Sequence, residues 1–196
     1  MNSLHTPRQQ SAGFTLVELM VTLAVAAILA AIALPNLRDY VLNVRRDSVI
    51  DSLVSSLHYA RSQALTLDQN AYLCAGNATP VGGACPGGTW ANGWEVVTLP
   101  ANSSTVNLLT TNALPIADSV PTLKALDGNL FIEFTPLGLL AVNGPTKMAT
   151  PKEMFVVCDA RGGTYARAVE VNATGYIQSS PTPGFEPDAT TALGCP

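Results

Sequence analysis

Four sets of side chains in this sequence could do chemistry: a carboxylate inside an apolar run, four cysteines, a few acids on strand-like segments and two nearby tryptophans. The carboxylate is Glu18. From Phe14 to Leu34 there are 21 residues, of which only Thr15, Glu18 and Thr22 are polar. As a helix rising about 1.5 Å per residue, the run spans roughly 30 Å, one bilayer core. A charge at mid-membrane costs on the order of 2.5 to 3.5 kcal/mol, less near an end, so an acid placed there calls for a partner or a purpose. No cation lies within the run: Arg8 is ten positions back and Arg38 lies beyond Pro35.

The cysteines are Cys74, Cys85, Cys158 and Cys195. The short segment ahead of the run carries Arg8 and no acid, which favours keeping it cytoplasmic and exporting the rest, although Arg38, Arg45 and Arg46 compete. An even number of cysteines in an exported domain reads first as disulfides. Three pairings are open. The nearest-neighbour one would join Cys74 to Cys85 across a Gly/Pro-rich loop and Cys158 to Cys195 across the tail, contributing about 3 and about 4 kcal/mol by loop-closure entropy. There is no C-x-x-C pair and the only histidines are His5 and His58, so no metal and no cofactor is expected.

Catalytic signatures are missing. The sequence has no G-x-S-x-G elbow, P-loop, H-E-x-x-H or dinucleotide fingerprint. Asp159 and Glu170 could in principle pair across a hairpin as glycosidase carboxylates, but acids on a hairpin more often face water. Trp90 and Trp94 could stack a sugar or base, yet a Trp beside a strand is more often a core anchor. His58 reads as a partly exposed helix residue, and the chain is expected not to be an enzyme.

The elements that would position these residues follow from periodicity. Beyond Pro35, Tyr40, Val41, Val44, Ile50, Leu53, Val54, Leu57, Ala60, Ala64 and Leu67 recur at spacings of three and four. Arg45, Arg46, Asp47, Asp51 and Arg61 fall largely between them, so an amphipathic half follows the apolar half of one long helix. Pro35 removes a backbone donor and predicts a kink. Asp68-Gln69-Asn70 ends the helix. Strands are then predicted at Ala71 to Ala75, Trp94 to Leu99, Val106 to Thr110, Leu130 to Thr135, Gly138 to Val142, Met154 to Asp159, Tyr165 to Val171 and Tyr176 to Gln178. Turn chemistry comes from Asp127-Gly128, Asn143-Gly144-Pro145 and Arg161-Gly162-Gly163. A run of strands after one helix favours an α+β fold, with the helix packed on antiparallel sheet.

Gly13, Phe14, Thr15, Leu16 and Glu18, followed by an apolar helix, resemble the leader junction of type IV pilins and type II secretion pseudopilins. The resemblance implies cleavage by prepilin peptidase after Gly13, methylation of the new N-terminal Phe14, and a role for Glu18 in meeting a neighbour's N-terminus during assembly. It divides the chain into a leader (1–13), a membrane and assembly half-helix (14–35), an amphipathic half-helix (36–70) and a β-rich head (71–196). A secretory signal, the plainer alternative, has a shorter apolar region of about 7 to 15 residues. "HYARSQALTLDQN", "TWANGWEVV", "IEFTPLGLL" and "FVVCDARGGTYARAVEVNATG" are similar to stretches of the GspH/FimT family of minor pilins and pseudopilins. Implied partners are other pilins or pseudopilins through the N-terminal helix, prepilin peptidase and the inner-membrane assembly machinery. The implied location is the bacterial inner membrane, single-pass with the head in the periplasm, then a pilus or pseudopilus.

Removing residues 1–35 from 196 leaves about 160, enough for one domain with a core. At 12% charged residues and a formal net charge of -4, the chain is no general polyanion binder. DNA uptake is nonetheless an alternative role in this family, where DNA-binding members carry Gly-Arg-x-Arg near the C-terminus. Here that stretch reads Gly175-Tyr176-Ile177-Gln178, leaving Arg161 and Arg167 as the nearest candidate phosphate contacts, offset by Asp159 and Glu170. Two disulfides tilt the reading toward a subunit that starts or caps a type IV pilus rather than a secretion pseudopilus.

Overall fold

The computed structural model describes residues 13–76, 85, 87–100, 105–114, 121–141 and 152–195. The leader up to residue 12 and the Asn143-Gly144-Pro145 turn lie outside the described residues, as does the side chain of Pro35. One α-helix, α1, runs from Leu16 to Leu67, helical through position 35 and therefore unbroken there. The chain divides into two compact units, Met1–Val41 and Leu42–Pro196.

In the first unit every described side chain from Gly13 to Val41 is exposed. Its most apolar stretch has a mean hydropathy of 2.5, long and apolar enough to cross a membrane. Leucines, isoleucines and valines left uncovered all round a helix are what a helix needs when its solvent is lipid or its neighbours are other apolar helices.

In the second unit α1 is one-sided. Val49, Ile50, Leu53, Leu57, Ala60 and Ala64 are buried, at the three- and four-residue spacing that keeps one helix face inward. The buried stripe starts at Val49, while Val44 on the same periodicity stays exposed. Periodicity alone could not find that limit, because it depends on where the sheets begin. The helix stops after Leu67, where Asp68 takes a left-handed φ of 52°, a conformation that short polar residues tolerate.

Two four-stranded sheets receive this stripe. The strands are β1 (Asn70–Ala75), β2 (Gly93–Leu99), β3 (Asn107–Ala113), β4 (Thr122–Ala125), β5 (Phe131–Phe134), β6 (Lys152–Cys158), β7 (Arg167–Asn172) and β8 (Ile177–Ser179). The first sheet has the order β3-β2-β1-β5 and the second β4-β6-β7-β8, with antiparallel pairing throughout. Alternation along each strand then decides what meets what. Leu73, Val96 and Phe134 of the first sheet and Phe155, Val157 and Val169 of the second share one core with the helix stripe. The alternate residues point away, into two smaller clusters: Tyr72, Cys74 and Val97 on the first sheet, and Met154, Val156 and Ala168 on the second.

Both outer faces are closed by disulfides. Cys74–Cys85 has a Cα–Cα distance of 5.4 Å and places Cys85 against the outer cluster of the first sheet. Cys158–Cys195, at 5.9 Å, ties down the tail so that Leu193 plugs the outer cluster of the second. Of the three open pairings the nearest-neighbour one is thus the one formed.

Two expectations need correction, and one strand was not expected. The predicted strand from Gly138 is a tight turn followed by a single bridge, Phe134 to Leu140. The peptide N–H of Gly138 donates to the Thr135 carbonyl at 2.8 Å, and the backbone of Gly138 has a φ of +71° that favours glycine. Strand β4 had no sequence signal, being four residues long with a lysine in the middle. Arg46 is not on the solvated side of α1 but 3% exposed, donating to the Tyr165 carbonyl at 2.7 Å and paired with Asp47 at 2.9 Å.

Candidate functional site

The candidate assembly site is the start of α1. Thr15 precedes the first helical residue, and its hydroxyl accepts a hydrogen bond from the Glu18 peptide N–H at 3.2 Å. That is half of a capping box, and the T-x-x-E spacing was its available sequence signal. Glu18 therefore has a local reason to follow Thr15, since a carboxylate in the first turn is favoured by the positive end of the helix dipole. The local reason accounts for an acid but not for its setting, because Glu18 is exposed on an otherwise apolar surface and makes no ion pair among the described residues. Phe14 stands ahead of the helix, 79% exposed.

On the head, the two arginines considered as phosphate contacts are occupied. Arg161 donates to both carboxylate oxygens of Asp159, at 3.1 and 2.6 Å, and to the Asn43 side-chain oxygen on α1 at 2.8 Å. Its guanidinium also lies 4.2 Å from the centre of the Tyr165 ring. Burial alone would raise the Asp159 carboxyl, but hydrogen bonds from Arg161 and the charges of Arg161 and Arg46 outweigh it and hold the group below the usual range. Arg167 reaches Asp47 at 3.4 Å and the Ser180 carbonyl at 2.5 Å. Together with Arg46, these groups fasten α1 to the β6–β7 end of the head.

The remaining candidates are structural. Asp159 follows β6 while Glu170 stands opposite Met154, so the two acids sit at different ends of the hairpin. Trp90 donates its indole N–H to the Asn129 carbonyl at 2.7 Å and meets Phe155 edge-on at 4.8 Å; Trp94 is fully buried. His58 is exposed. Among the described residues no group of three His, Cys, Asp or Glu could hold a metal ion.

Two features escaped sequence reasoning. Arg61 donates from Nε to the Gly138 carbonyl at 2.9 Å and from a terminal nitrogen to the Thr174 carbonyl at 3.0 Å, so one helix side chain holds two turns from different sheets. Glu153, hydrogen-bonded by Asn129, is pushed up to about 7 by burial, with Asp127 adding to the shift. A carboxyl raised in the folded state favours folding while protonated. Stability should fall as pH rises from about 4.5 to 7 and then level off, by about 1–2 kcal/mol after allowing for solvent screening. Glu153→Gln should raise the melting temperature at pH 8 by a few degrees and leave it unchanged at pH 4, as read by thermal unfolding at both values.

Comparison with known proteins places this arrangement. The family model described as type II transport protein GspH matches residues 49–175, well over half of the chain. The chain belongs to the GspH family. The match starts at Val49, the first buried residue of the α1 stripe, and ends at Gly175, beside the turn that Arg61 holds. A second model, the prokaryotic N-terminal methylation motif, matches residues 8–34 and so spans Gly13, Phe14 and Glu18. This GspH-family chain is similar to the type IV minor pilin FimU of Pseudomonas aeruginosa (strain PAO1), solved in two crystal forms. Identities are 21% and 24% over 69% of this chain, covering 92% and 87% of FimU, with TM-scores of 0.50 and 0.51. At that identity the likeness shows the fold: a long N-terminal helix packed on antiparallel sheet. Family and motif together make the GspH-family chain one of the minor pilins and pseudopilins, a structural class of subunit.

Proposed function

We propose that this chain is a minor pilin that starts or caps a type IV pilus. It is made with a leader, residues 1–13, which prepilin peptidase removes after Gly13, and Phe14 is then N-methylated. It stands single-pass in the bacterial inner membrane with its head in the periplasm, and enters the fibre through its N-terminal helix. The observation that carries this reading is a carboxylate four residues after Phe14, in the first turn of a helix whose described side chains up to Val41 are all uncovered, ahead of a GspH-type head. Cleavage would create an α-amino group one helical turn from Glu18, a cation for this acid or for that of a neighbouring copy. The pilus side is supported by the description of FimU as a type IV minor pilin, and by the two disulfides that close the outer faces of the head.

Intact-mass measurement of membrane-extracted protein should give a chain beginning at methylated Phe14, and the chain should be found in sheared fibres. A terminus at Met1 or near Ala33 would overturn the reading. DNA uptake is the weaker alternative, because Arg161 and Arg167 already serve acids and carbonyls of their own chain. A shift of duplex DNA at moderate salt that is lost on neutralising either arginine would revive it.

A further inference from the structure

Beside the core stripe, α1 turns a second face toward the edge strand β3, and between them lies an open groove of about 950 Å³. It runs along the helix from Val44 to Tyr59, roughly 22 Å at the helical rise. Its helix wall is cut low: Ser48, Ser52 and Ser55 stand there, exposed. Among the described residues, the Asp51 carboxylate on that wall has no hydrogen bond or ion pair, whereas that of its neighbour Asp47 is held by Arg46 and Arg167. The opposite wall is β3, through Leu109, Thr110 and Asn112, and the Asn112 side-chain amide donates to the Ser56 hydroxyl across the groove at 3.2 Å.

We propose that this groove docks a short basic helix, about four turns long, from another subunit of the fibre. The inference rests on the fibre-subunit reading above. Three observations choose the occupant. A straight channel walled by a helix with small residues at i, i+4 and i+7 is the complement of a second helix, whose ridge can approach closely there. The register of β3 against β2 shifts at Val96/Val97, a bulge that spoils the edge for an added strand, so the occupant meets side chains rather than the strand's backbone. The unpaired Asp51 carboxylate gives a lysine or arginine of the incoming helix its partner and fixes its register.

The test is carried out on the full chain in cells, with the sheared-fibre and membrane fractions blotted separately. Ser52→Trp fills the groove and Asp51→Lys reverses its charge; Ser52→Ala changes neither. The first two should fall on the order of tenfold in the fibre fraction, an energy difference of about 1.4 kcal/mol, with membrane level and thermal unfolding unchanged. Ser52→Ala should behave as wild type. Wild-type protein missing from the fibres would overturn the fibre-subunit reading itself and this inference with it. Wild type present, with Ser52→Trp and Asp51→Lys equally present, would overturn the docking inference alone. Loss of Ser52→Trp without loss of Asp51→Lys would reject a cationic occupant. A carbodiimide cross-link from Asp51 to a second copy of this chain would reject another subunit.

Discussion

Gly175→Ala should lower the stability of the head by about 3 kcal/mol, roughly one and a half to three times the effect of Gly128→Ala. The two glycines have nearly the same backbone, φ of +72° and +71°, so any left-handed strain, about 1–2 kcal/mol for an L side chain, is common to both. What differs is space. A Cβ at Gly128 meets nothing within 4 Å, but at Gly175 it falls 2.1 Å from the Gly138 carbonyl oxygen and 2.9 Å from Arg61 Nε. Neither neighbour can retreat cheaply, since Arg61 Nε itself donates to that oxygen and the same guanidinium holds the Thr174 carbonyl. The substitution must therefore part the β7–β8 turn from the turn after β5. In a domain of this size about 3 kcal/mol corresponds to roughly 6–12 °C, read by thermal unfolding followed by circular dichroism. Equal losses for Gly175→Ala and Gly128→Ala would show that the turns are not held together as described.

That junction marks the limit of what the chain discloses in one dimension. The long helix was legible because its apolar residues repeat over many turns, and most strands because they are short apolar runs between turn residues. The nearest-neighbour cysteine pairing is the one in the structure, with Cys74 on β1 and Cys158 on β6 each the first member of its bridge. Arg46 and Arg61 were illegible as buried or bridging groups. A charged residue on a helix reads as solvated until carbonyls distant in sequence, those of Tyr165, Gly138 and Thr174, are known to converge on it. For the same reason the arginines weighed as phosphate contacts could be named from sequence, with Asp159 as an offsetting acid, but their partners on α1, Asp47 and Asn43, could not. The division of the strands into two sheets was equally hidden, since β4 pairs with β6 across an intervening strand of the other sheet.

Glu18→Ala should leave the head folded and the protein in the membrane, yet reduce its share of sheared fibres at least tenfold. Removing the acid makes the apolar run more apolar, so membrane insertion gains rather than loses, by up to about 3 kcal/mol on insertion scales. The head is indifferent to the change because its buried stripe on α1 begins only at Val49. The cap also survives in part, since Thr15 accepts from the peptide N–H of residue 18 and not from its side chain. Only a function that uses the carboxylate itself is lost. Glu18→Gln is the sharper variant: it keeps size and hydrogen bonding, and if pairing with a cleaved N-terminus draws the subunit into the fibre, it should fail almost as badly as alanine. Glu18→Asp keeps the charge and should retain more incorporation than either. Blots of membrane and sheared fractions for the three variants separate the possibilities: a glutamine variant that incorporates like wild type would mean that Glu18 serves the helix start alone, and that its charge has no part in assembly.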